Sequence, residues 1–152
     1  MLLTGLGFIV LPLIYIFSSR LTFADFHLHT GLVPGTWIAG SLVFAAALWL
    51  LWRSHVDLDR NWTPTLQIKN NHALVTEGVF KYIRHPMYAS HILWGVAQLL
   101  LLHNWIAGPA MLVLMLPFYL YRVPREEKMM LEQFGDEYRA YRVKTGGFLP
   151  RL

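Results

Sequence analysis

The fold of this chain is decided by residues 86–121, which read PMYASHILWGVAQLLLLHNWIAGPAMLVLMLPFYLY. The stretch contains no Lys, Arg, Asp or Glu, and it is too long for a single membrane span of about 20 residues. The polar pair His103-Asn104 divides it into two apolar helices, at 86–102 and 105–121. Because the connection is so short, we predict that the two helices form an antiparallel hairpin.

The composition of the whole chain is that of a membrane protein. Hydrophobic residues make up 55% of the sequence and charged residues only 14%, whereas soluble domains carry about 25% charged residues. The net charge of +4 is spread beside apolar runs and does not follow one polar face, so we expect no nucleic-acid partner. Without cysteine, the chain has no disulfide, thiolate ligand or cysteine nucleophile.

Two further membrane helices are predicted upstream, at residues 2–17 and 34–52, with Arg53 ending the second. His27 and His29 lie in the loop between them, but two ligands without a third predict no metal site. The predicted fold class is therefore an all-α integral membrane protein. It has about four transmembrane helices, including the C-terminal hairpin, and short cytoplasmic amphipathic helices.

The distribution of Lys and Arg predicts the orientation of these spans. The 53–85 loop holds five and the 122–152 tail seven, whereas the 20–33 loop holds only Arg20 and the turn at 103–104 holds none. Since positive residues favour the cytoplasmic side, four crossings place both termini in the cytoplasm. The long loop, which we read as a short hairpin or an extended lid, and the tail then share one compartment.

The first candidate site is the stretch LVTEGVFKYIRHPMY at residues 74–88. Pro86 is typical of a first helical residue, because proline lacks an N–H that a helix start leaves unpaired. Arg84 and His85 would then lie at a helix N-terminus, where unpaired N–H groups favour an anion. The alternative is a basic segment beside the membrane that only sets the topology.

The second candidate site is the tail sequence RVPREEKMMLEQF at residues 122–134. It predicts a helix that begins near Pro124, carries Glu126 and Glu127 in its first turn and ends at Gly135. This could be an ordinary amphipathic surface helix. However, a carboxylate close to a bilayer usually has a partner or a task, and this pair should face Arg84 and His85.

Together these motifs resemble the isoprenylcysteine carboxyl methyltransferase family, particularly its short bacterial members. The resemblance rests on LVTEGVFKYIRHPMY, the apolar hairpin, REEKMMLEQFGDEYRAY and a closing FLPRL. More distantly, the chain is similar to phospholipid N-methyltransferases. The likeness covers residues 60–152, which would hold cofactor and substrate, and leaves residues 1–59 as two generic membrane helices within one domain. Two positions, Phe80 and Asp59, depart from the pattern of many relatives.

The resemblance implies a membrane methyltransferase that binds S-adenosyl-L-methionine on the cytoplasmic side, in a bacterial inner membrane. Its expected partners are the lipid bilayer and a hydrophobic or lipidated acceptor. The residues that would contact the cofactor or shape its pocket, carried over by motif, are Gly78, Tyr82, Arg84, His85, Pro86, Tyr88 and Glu127.

The residues that would act on the acceptor depend on its chemistry. A carboxylate acceptor needs only a cation to orient it, for which Arg122 and Arg125 are the candidates, although either could be a positive-inside anchor. An amine acceptor must lose a proton, for which Glu126 or His85 would be the base. The sequence leaves this choice open.

Two rival functions remain at this stage. Membrane sterol-type reductases are similar in the C-terminal region but use NADPH, and they tend to carry arginine where this chain has the second residue of Glu126-Glu127. The cofactor's 2′-phosphate would also require more cations than Arg84 and Lys81 provide. The other rival is a non-catalytic membrane protein of the same fold, which loss of His85 or Glu127 would favour.

Overall fold

The computed structural model describes residues 5–58 and 73–151, and all regular structure in these ranges is helical. We name four helices: α1 (Leu6–Phe17), α2 (Val33–Leu58), α3 (Pro86–Leu101) and α4 (Ala110–Lys144). Short 3₁₀ turns occur at Ser19–Ala24 and Gly78–Lys81. The all-α fold class is confirmed for the part of the chain that the structure describes.

The predicted number of four spans is not confirmed. Within the described ranges, α2 is the one helix that is both long and apolar enough to cross a membrane. Helix α1 is a shorter apolar helix, α3 has 16 residues, and α4 is long but highly charged in its C-terminal half. A membrane location thus rests on α2 and on the apolar composition, and the count of crossings stays a prediction.

Helix α2 continues past its predicted end at residue 52. Arg53 does not stop it, because its Nη2 pairs with Asp57 Oδ1 at 2.6 Å, one turn further along the same helix. This i,i+4 pair satisfies the charge within the helix. The predicted loop therefore begins six residues later than expected. Of the hairpin or lid predicted at residues 66–75, only 73–75 are described, and they have no regular structure; Asp59 also lies outside the described residues.

Helices α3 and α4 form the predicted antiparallel hairpin. Tyr88, near the start of α3, packs against Tyr119, whereas Gly95, further along α3, lies against Leu112, which comes earlier in α4. The connection is longer than the predicted two residues and runs from 102 to 109. It is organised by the fully buried Asn104, whose Oδ1 accepts the backbone N–H groups of Ile106 and Ala107.

Asn104 also ties the hairpin to the first part of the chain. Its Nδ2 donates to the Leu21 carbonyl at 2.7 Å and to Asp25 Oδ1 at 2.9 Å. A second buried amide, Gln98, donates to the carbonyls of Gly7 and Ala107. In an apolar environment each unpaired polar group is costly, so these amides fix how α1 packs against the hairpin.

Helix α4 corrects the predicted boundary between the last span and the tail. The sequence predicted a new helix near Pro124, but α4 runs without interruption through Pro117 and Pro124. An ion pair from Arg122 Nε to Glu126 Oε1, 2.7 Å long, bridges the turn that contains Pro124. Membrane helices tolerate proline where neighbouring groups compensate for the lost hydrogen bond. The carboxylate pair is therefore held on a direct extension of the hairpin.

The predicted break at Gly135 is confirmed. Its φ of 51° and ψ of −120° are not helical, and the chain resumes a helix directly afterwards. Only glycine adopts such a conformation at little cost. The last turns of α4 are thereby redirected so that Tyr138 is buried, the Tyr141 hydroxyl reaches the Phe80 carbonyl in the turn before α3, and Arg142 lies against Glu127 of the same helix.

Candidate functional site

The site forms where the segment before α3 meets the end of the chain. Pro86 is the first residue of α3, as predicted, and His85 is its N-cap residue. The N–H of Arg84 donates to the Gly146 carbonyl at 2.8 Å, and the N–H of His85 donates to the Gly147 carbonyl at 3.0 Å. Two extended segments are thus paired side by side, which holds the Arg84 and His85 side chains against α4.

Glu127 is the centre of the first of two charged clusters. Its Oε1 accepts hydrogen bonds from Arg84 Nε at 2.9 Å and from His85 Nε2 at 3.0 Å, with the ring nitrogen protonated for this bond. Arg142 Nε lies 2.9 Å from the other oxygen, Oε2, in an ion pair without the alignment of a hydrogen bond. The Glu127 side chain is 12% exposed, so its charge is almost entirely balanced by protein groups.

These contacts change the acidity of Glu127. Burial by itself would raise the pKa of this carboxyl, but the hydrogen bonds from His85 and Arg84 and their charges outweigh burial and lower the pKa to about 2. Glu127 is therefore ionised throughout the physiological range. It can accept hydrogen bonds from a ligand but cannot serve as a general acid at neutral pH.

Glu126 is the centre of the second cluster, on the adjacent side of α4. Its Oε1 accepts hydrogen bonds from the Tyr88 hydroxyl and, at 2.7 Å, from Arg122 Nε. His85 Nδ1 lies 3.8 Å from its Oε2. His85 thus stands between the two carboxylates, with one ring nitrogen near each.

A pocket of about 450 Å³ opens beside Glu127. Ligand sites in proteins are commonly about 300–1,000 Å³, so this pocket can hold a cofactor. One part of its wall is charged and the rest is apolar. The lining residues are Arg84, His85, Val123, Pro124, Glu127, Leu131, Arg142, Gly147 and Phe148.

Most of the residues named from the sequence come together here, and three do not. Arg84, His85, Pro86, Tyr88, Arg122, Glu126 and Glu127 belong to the two clusters or directly support them. By contrast, the Tyr82 side chain is 60% exposed, with Lys81 near its ring. Arg125 is exposed and its guanidinium lies 3.3 Å from the centre of the Tyr121 ring.

Gly78 lies against the end of α2 and not in the charged clusters. Its φ is +58°, and a Cβ at this position would come within 2.1 Å of Asp57 Oδ2. The same oxygen accepts the N–H of Val79 at 2.8 Å. Gly78 therefore anchors the segment that leads to Arg84 onto the end of α2, at a distance from the charged clusters.

The sequence did not identify three parts of the site. Arg142 completes the Glu127 cluster, Phe148 forms a pocket wall 5.7 Å from the His85 ring, and residues 145–147 hold the Arg84 side chain and backbone. The Arg84 guanidinium donates to the carbonyls of Thr145 and Arg142. The pair Gly146-Gly147 was the available signal, because adjacent glycines often mark a close approach of two backbones.

Phe80, one of the two departures from the resemblance, is buried and carries no hydroxyl. Its backbone carbonyl accepts the Tyr141 hydroxyl at 2.6 Å. Burial raises the pKa of Tyr141 to about 12, so that this hydroxyl remains a donor at every working pH. Position 80 is therefore linked to α4 by its backbone carbonyl and not by a side-chain hydroxyl.

Sequence comparison identifies one family. Residues 37–132 match the sequence profile of the Isoprenylcysteine carboxyl methyltransferase (ICMT) family. A protein-S-isoprenylcysteine O-methyltransferase of Schizosaccharomyces pombe is 32% identical over 99 residues, which cover 64% of this chain and 42% of the relative. Protein-S-isoprenylcysteine O-methyltransferase B of Arabidopsis thaliana is 36% identical over 95 residues, covering 60% of this chain and 48% of the relative. The chain thus matches less than half the length of these two relatives.

The fold is also that of a solved structure. The eukaryotic intramembrane Ras methyltransferase ICMT superposes with a TM-score of 0.70 at 22% sequence identity. The match covers 98% of this chain and 51% of that one. At this level of identity the superposition shows a shared helical architecture, and this chain corresponds to about half of the larger protein.

Proposed function

Because this chain belongs to the isoprenylcysteine carboxyl methyltransferase family, we propose that it is a membrane methyltransferase that uses S-adenosyl-L-methionine. The observation that carries the proposal is the pocket beside Glu127. The pocket is lined by a carboxylate that is only 12% exposed, by cationic side chains and by apolar side chains. We further propose that the acceptor is the carboxylate of a hydrophobic, lipid-bearing molecule.

The pocket residues fit the cofactor chemically. Glu127 Oε2 is buried and has no aligned hydrogen-bond donor, so it can accept from the ribose hydroxyls or the adenine amino group. Val123, Leu131 and Phe148 provide an apolar wall for the adenosine rings. Arg142 is 43% exposed at the rim and is suited to the carboxylate of the methionine moiety.

Arg84 has a different role from the one expected from the sequence. Its guanidinium is already engaged with Glu127 and with two backbone carbonyls of the C-terminal segment. We therefore assign Arg84 to building the pocket and Arg142 to binding the cofactor carboxylate. His85 orients Glu127 through its Nε2 and faces Glu126 through its Nδ1.

When bound, the cofactor would supply an electrophilic methyl group, for which an oxygen–carbon bond to the acceptor forms as the carbon–sulfur bond breaks and its electron pair stays on sulfur. A carboxylate acceptor loses no proton in this step, so the protein only has to position it. The Arg122 guanidinium has five N–H donors in a planar fork. It can therefore bind an acceptor carboxylate while it keeps its hydrogen bond to Glu126. Oε1 of Glu126 already accepts two hydrogen bonds, from Tyr88 and Arg122. Glu126 is therefore better suited to positioning these two side chains than to removing a proton from an amine.

The acceptor's lipid chain determines how the acceptor would arrive. Keeping the chain in the bilayer is worth about 0.8 kcal/mol per methylene, so the acceptor should enter sideways from the membrane. The hairpin of α3 and α4 brings Tyr88 and Arg122 together next to Phe118, whose ring lies 5.4 Å from the Arg122 guanidinium. We propose the opening between these helices as the entrance, with the cofactor entering from the aqueous side.

Calorimetry in detergent tests the cofactor assignment. The purified protein should bind S-adenosylhomocysteine and show no heat with NADPH, and the Glu127→Gln variant should lose most of this affinity. The matched control is Glu132→Gln, an exposed carboxylate that pairs with Lys128 at 3.7 Å on the far side of α4. Heat with NADPH alone would favour the reductase, and heat with neither ligand would refute the assignment.

A methyl-transfer assay tests the acceptor. N-acetyl-S-farnesylcysteine should be methylated, whereas phosphatidylethanolamine vesicles should not be. Methylation of the amine lipid alone would show that the acceptor assignment is wrong while the methyltransferase assignment stands.

A further inference from the structure

Among the described residues, only three buried side-chain polar atoms have no hydrogen-bond partner: His91 Nδ1, Tyr119 Oη and Glu127 Oε2. Such atoms are rare in native proteins, and each requires an explanation. For Glu127 the explanation is the pocket that it lines. Tyr119 lies on the same helix and the same face, because residues 119, 123 and 127 follow at intervals of four. Tyr119 does not line the pocket itself, but it lies next to Phe148, which does.

Tyr119 is packed in an aromatic cluster next to the site. The residue is only 8% exposed, and it packs with Met111 and Met115 in the hydrophobic core. Its ring centre lies 5.2 Å from that of Tyr88 and 6.1 Å from that of Phe148. Tyr88 contributes to the Glu126 cluster and Phe148 to the pocket wall, so Tyr119 contacts both halves of the site.

The hydroxyl of Tyr119 contributes nothing to packing that phenylalanine would not provide. A buried hydroxyl without a partner costs about 1–3 kcal/mol relative to one that is hydrogen-bonded. The neighbouring aromatic residue Phe118 shows that an unsubstituted ring is compatible with this part of α4. The position therefore carries a donor that the fold itself does not use.

We propose that the Tyr119 hydroxyl donates a hydrogen bond to the carboxylate of the methyl acceptor. The inference rests on the proposed methyltransferase function and assigns one more residue to the acceptor side of that site. An acceptor that enters between α3 and α4 would meet Tyr119 beside Tyr88 and Phe148, whose ring centres lie 5.2 and 6.1 Å from that of Tyr119. Arg122 and Tyr119 then hold the acceptor head from two sides, with Glu127 and Arg142 reserved for the cofactor.

The test uses Tyr119→Phe in the full-length protein with N-acetyl-S-farnesylcysteine as the probe. We expect kcat/KM for this acceptor to fall about tenfold or more, as is typical when a hydrogen bond to a charged group is lost. Affinity for S-adenosylhomocysteine should remain within twofold of the wild type. The melting temperature should be unchanged or higher, because an unsatisfied buried polar group has been removed.

Tyr141→Phe provides the matched comparison. The Tyr141 hydroxyl has a partner, the Phe80 carbonyl, so its removal should lower the melting temperature. If removal of the hydroxyl lowers the melting temperature at Tyr141 but not at Tyr119, the Tyr141 hydroxyl is structural and the Tyr119 hydroxyl is not used by the fold.

Three results would overturn the inference. A Tyr119→Phe variant that methylates within twofold of the wild type would refute it while leaving the proposed function intact. A variant that loses turnover and stability together would show that the hydroxyl has a structural partner. If the wild-type protein binds no S-adenosylhomocysteine, the proposed function fails and this inference fails with it.

Discussion

Arg84 Nε donates to Glu127 Oε1 at 2.9 Å, joining two residues that are 43 positions apart in the chain. The bond links the segment before α3 to the extension of α4, and the same guanidinium holds the C-terminal segment through the Thr145 carbonyl. Three separate parts of the chain are thus fixed by one side chain. Arg84 and Glu127 form part of the charged wall of the pocket.

Replacing Arg84 by lysine should disrupt the pocket although the charge is retained. A lysine ammonium is a point charge and cannot reach Glu127 and the backbone carbonyls at once. We expect a loss of about 1–3 kcal/mol in stability and at least a tenfold weaker affinity for S-adenosylhomocysteine. Thermal unfolding and calorimetry measure the two effects. Arg139→Lys, in an exposed pair with Asp136, is the control and should change neither quantity.

The low pKa of Glu127 predicts a loss of stability in acid. The unfolded carboxyl titrates near its ordinary value of 4.5, whereas the folded one titrates at about 2. Its contribution to stability is therefore complete above pH 5 and disappears as the pH falls towards 2. Glu127→Gln should be less stable than the wild type at pH 6 and should depend less on pH below 5. An identical acid profile for both proteins would contradict the stabilisation of the charged form.

Gly78→Ala should destabilise the protein more than Gly135→Ala does. Both glycines have a positive φ, so alanine is strained at either position by about 1–3 kcal/mol. Only at Gly78 would the new Cβ also collide with Asp57, whereas nothing lies within 4 Å of it at Gly135. The collision would break the hydrogen bond from the Val79 N–H. Equal melting temperatures for the two variants would show that the Asp57 contact is unimportant.

Arg122 and Arg125 should differ in their effect on methyl transfer. Arg122 holds Glu126 beside Tyr88, whereas Arg125 is exposed and stacks on Tyr121. Arg122→Ala should therefore lower kcat/KM for the acceptor by about tenfold or more with little effect on cofactor affinity. Arg125→Ala should leave turnover nearly unchanged. A larger loss of kcat/KM in the Arg125 variant would show that Arg125, and not Arg122, orients the acceptor.

The predicted topology can be tested with cysteines, because the chain has none of its own. Asn104 is unsuitable as a labelling position, since it is fully buried and its side chain makes four hydrogen bonds. Exposed positions are Thr30, before α2, and Glu137, near the end of α4. Cysteines at these two positions should react with a membrane-impermeant reagent from opposite sides, with Glu137→Cys on the cytoplasmic side. If both cysteines are labelled from the same side, the chain crosses the membrane an even number of times between Thr30 and Glu137, and the predicted topology is wrong.

The sequence by itself determined the features that depend on local chemistry. An uncharged run too long for one span predicts a hairpin, and α3 and α4 form one. Proline at the start of α3 fixes its own φ, and glycine at position 135 permits a positive φ that other residues disfavour, so both boundaries were predictable. The meeting of Arg84 and His85 with the Glu126-Glu127 pair also followed from the sequence, because buried charges close to a bilayer require partners.

Only the tertiary structure decided which partners meet at atomic distance. Arg142, Phe148 and residues 145–147 reach the site because Gly135 redirects the end of α4, an angle that no local pattern specifies. The continuity of α4 through Pro124 depends on the ion pair across that turn, and the extension of α2 depends on the pairing of Arg53 with Asp57. In each case a contact between side chains outweighs the local tendency of a proline or a charge to end a helix, and such contacts are known only once the chain has packed.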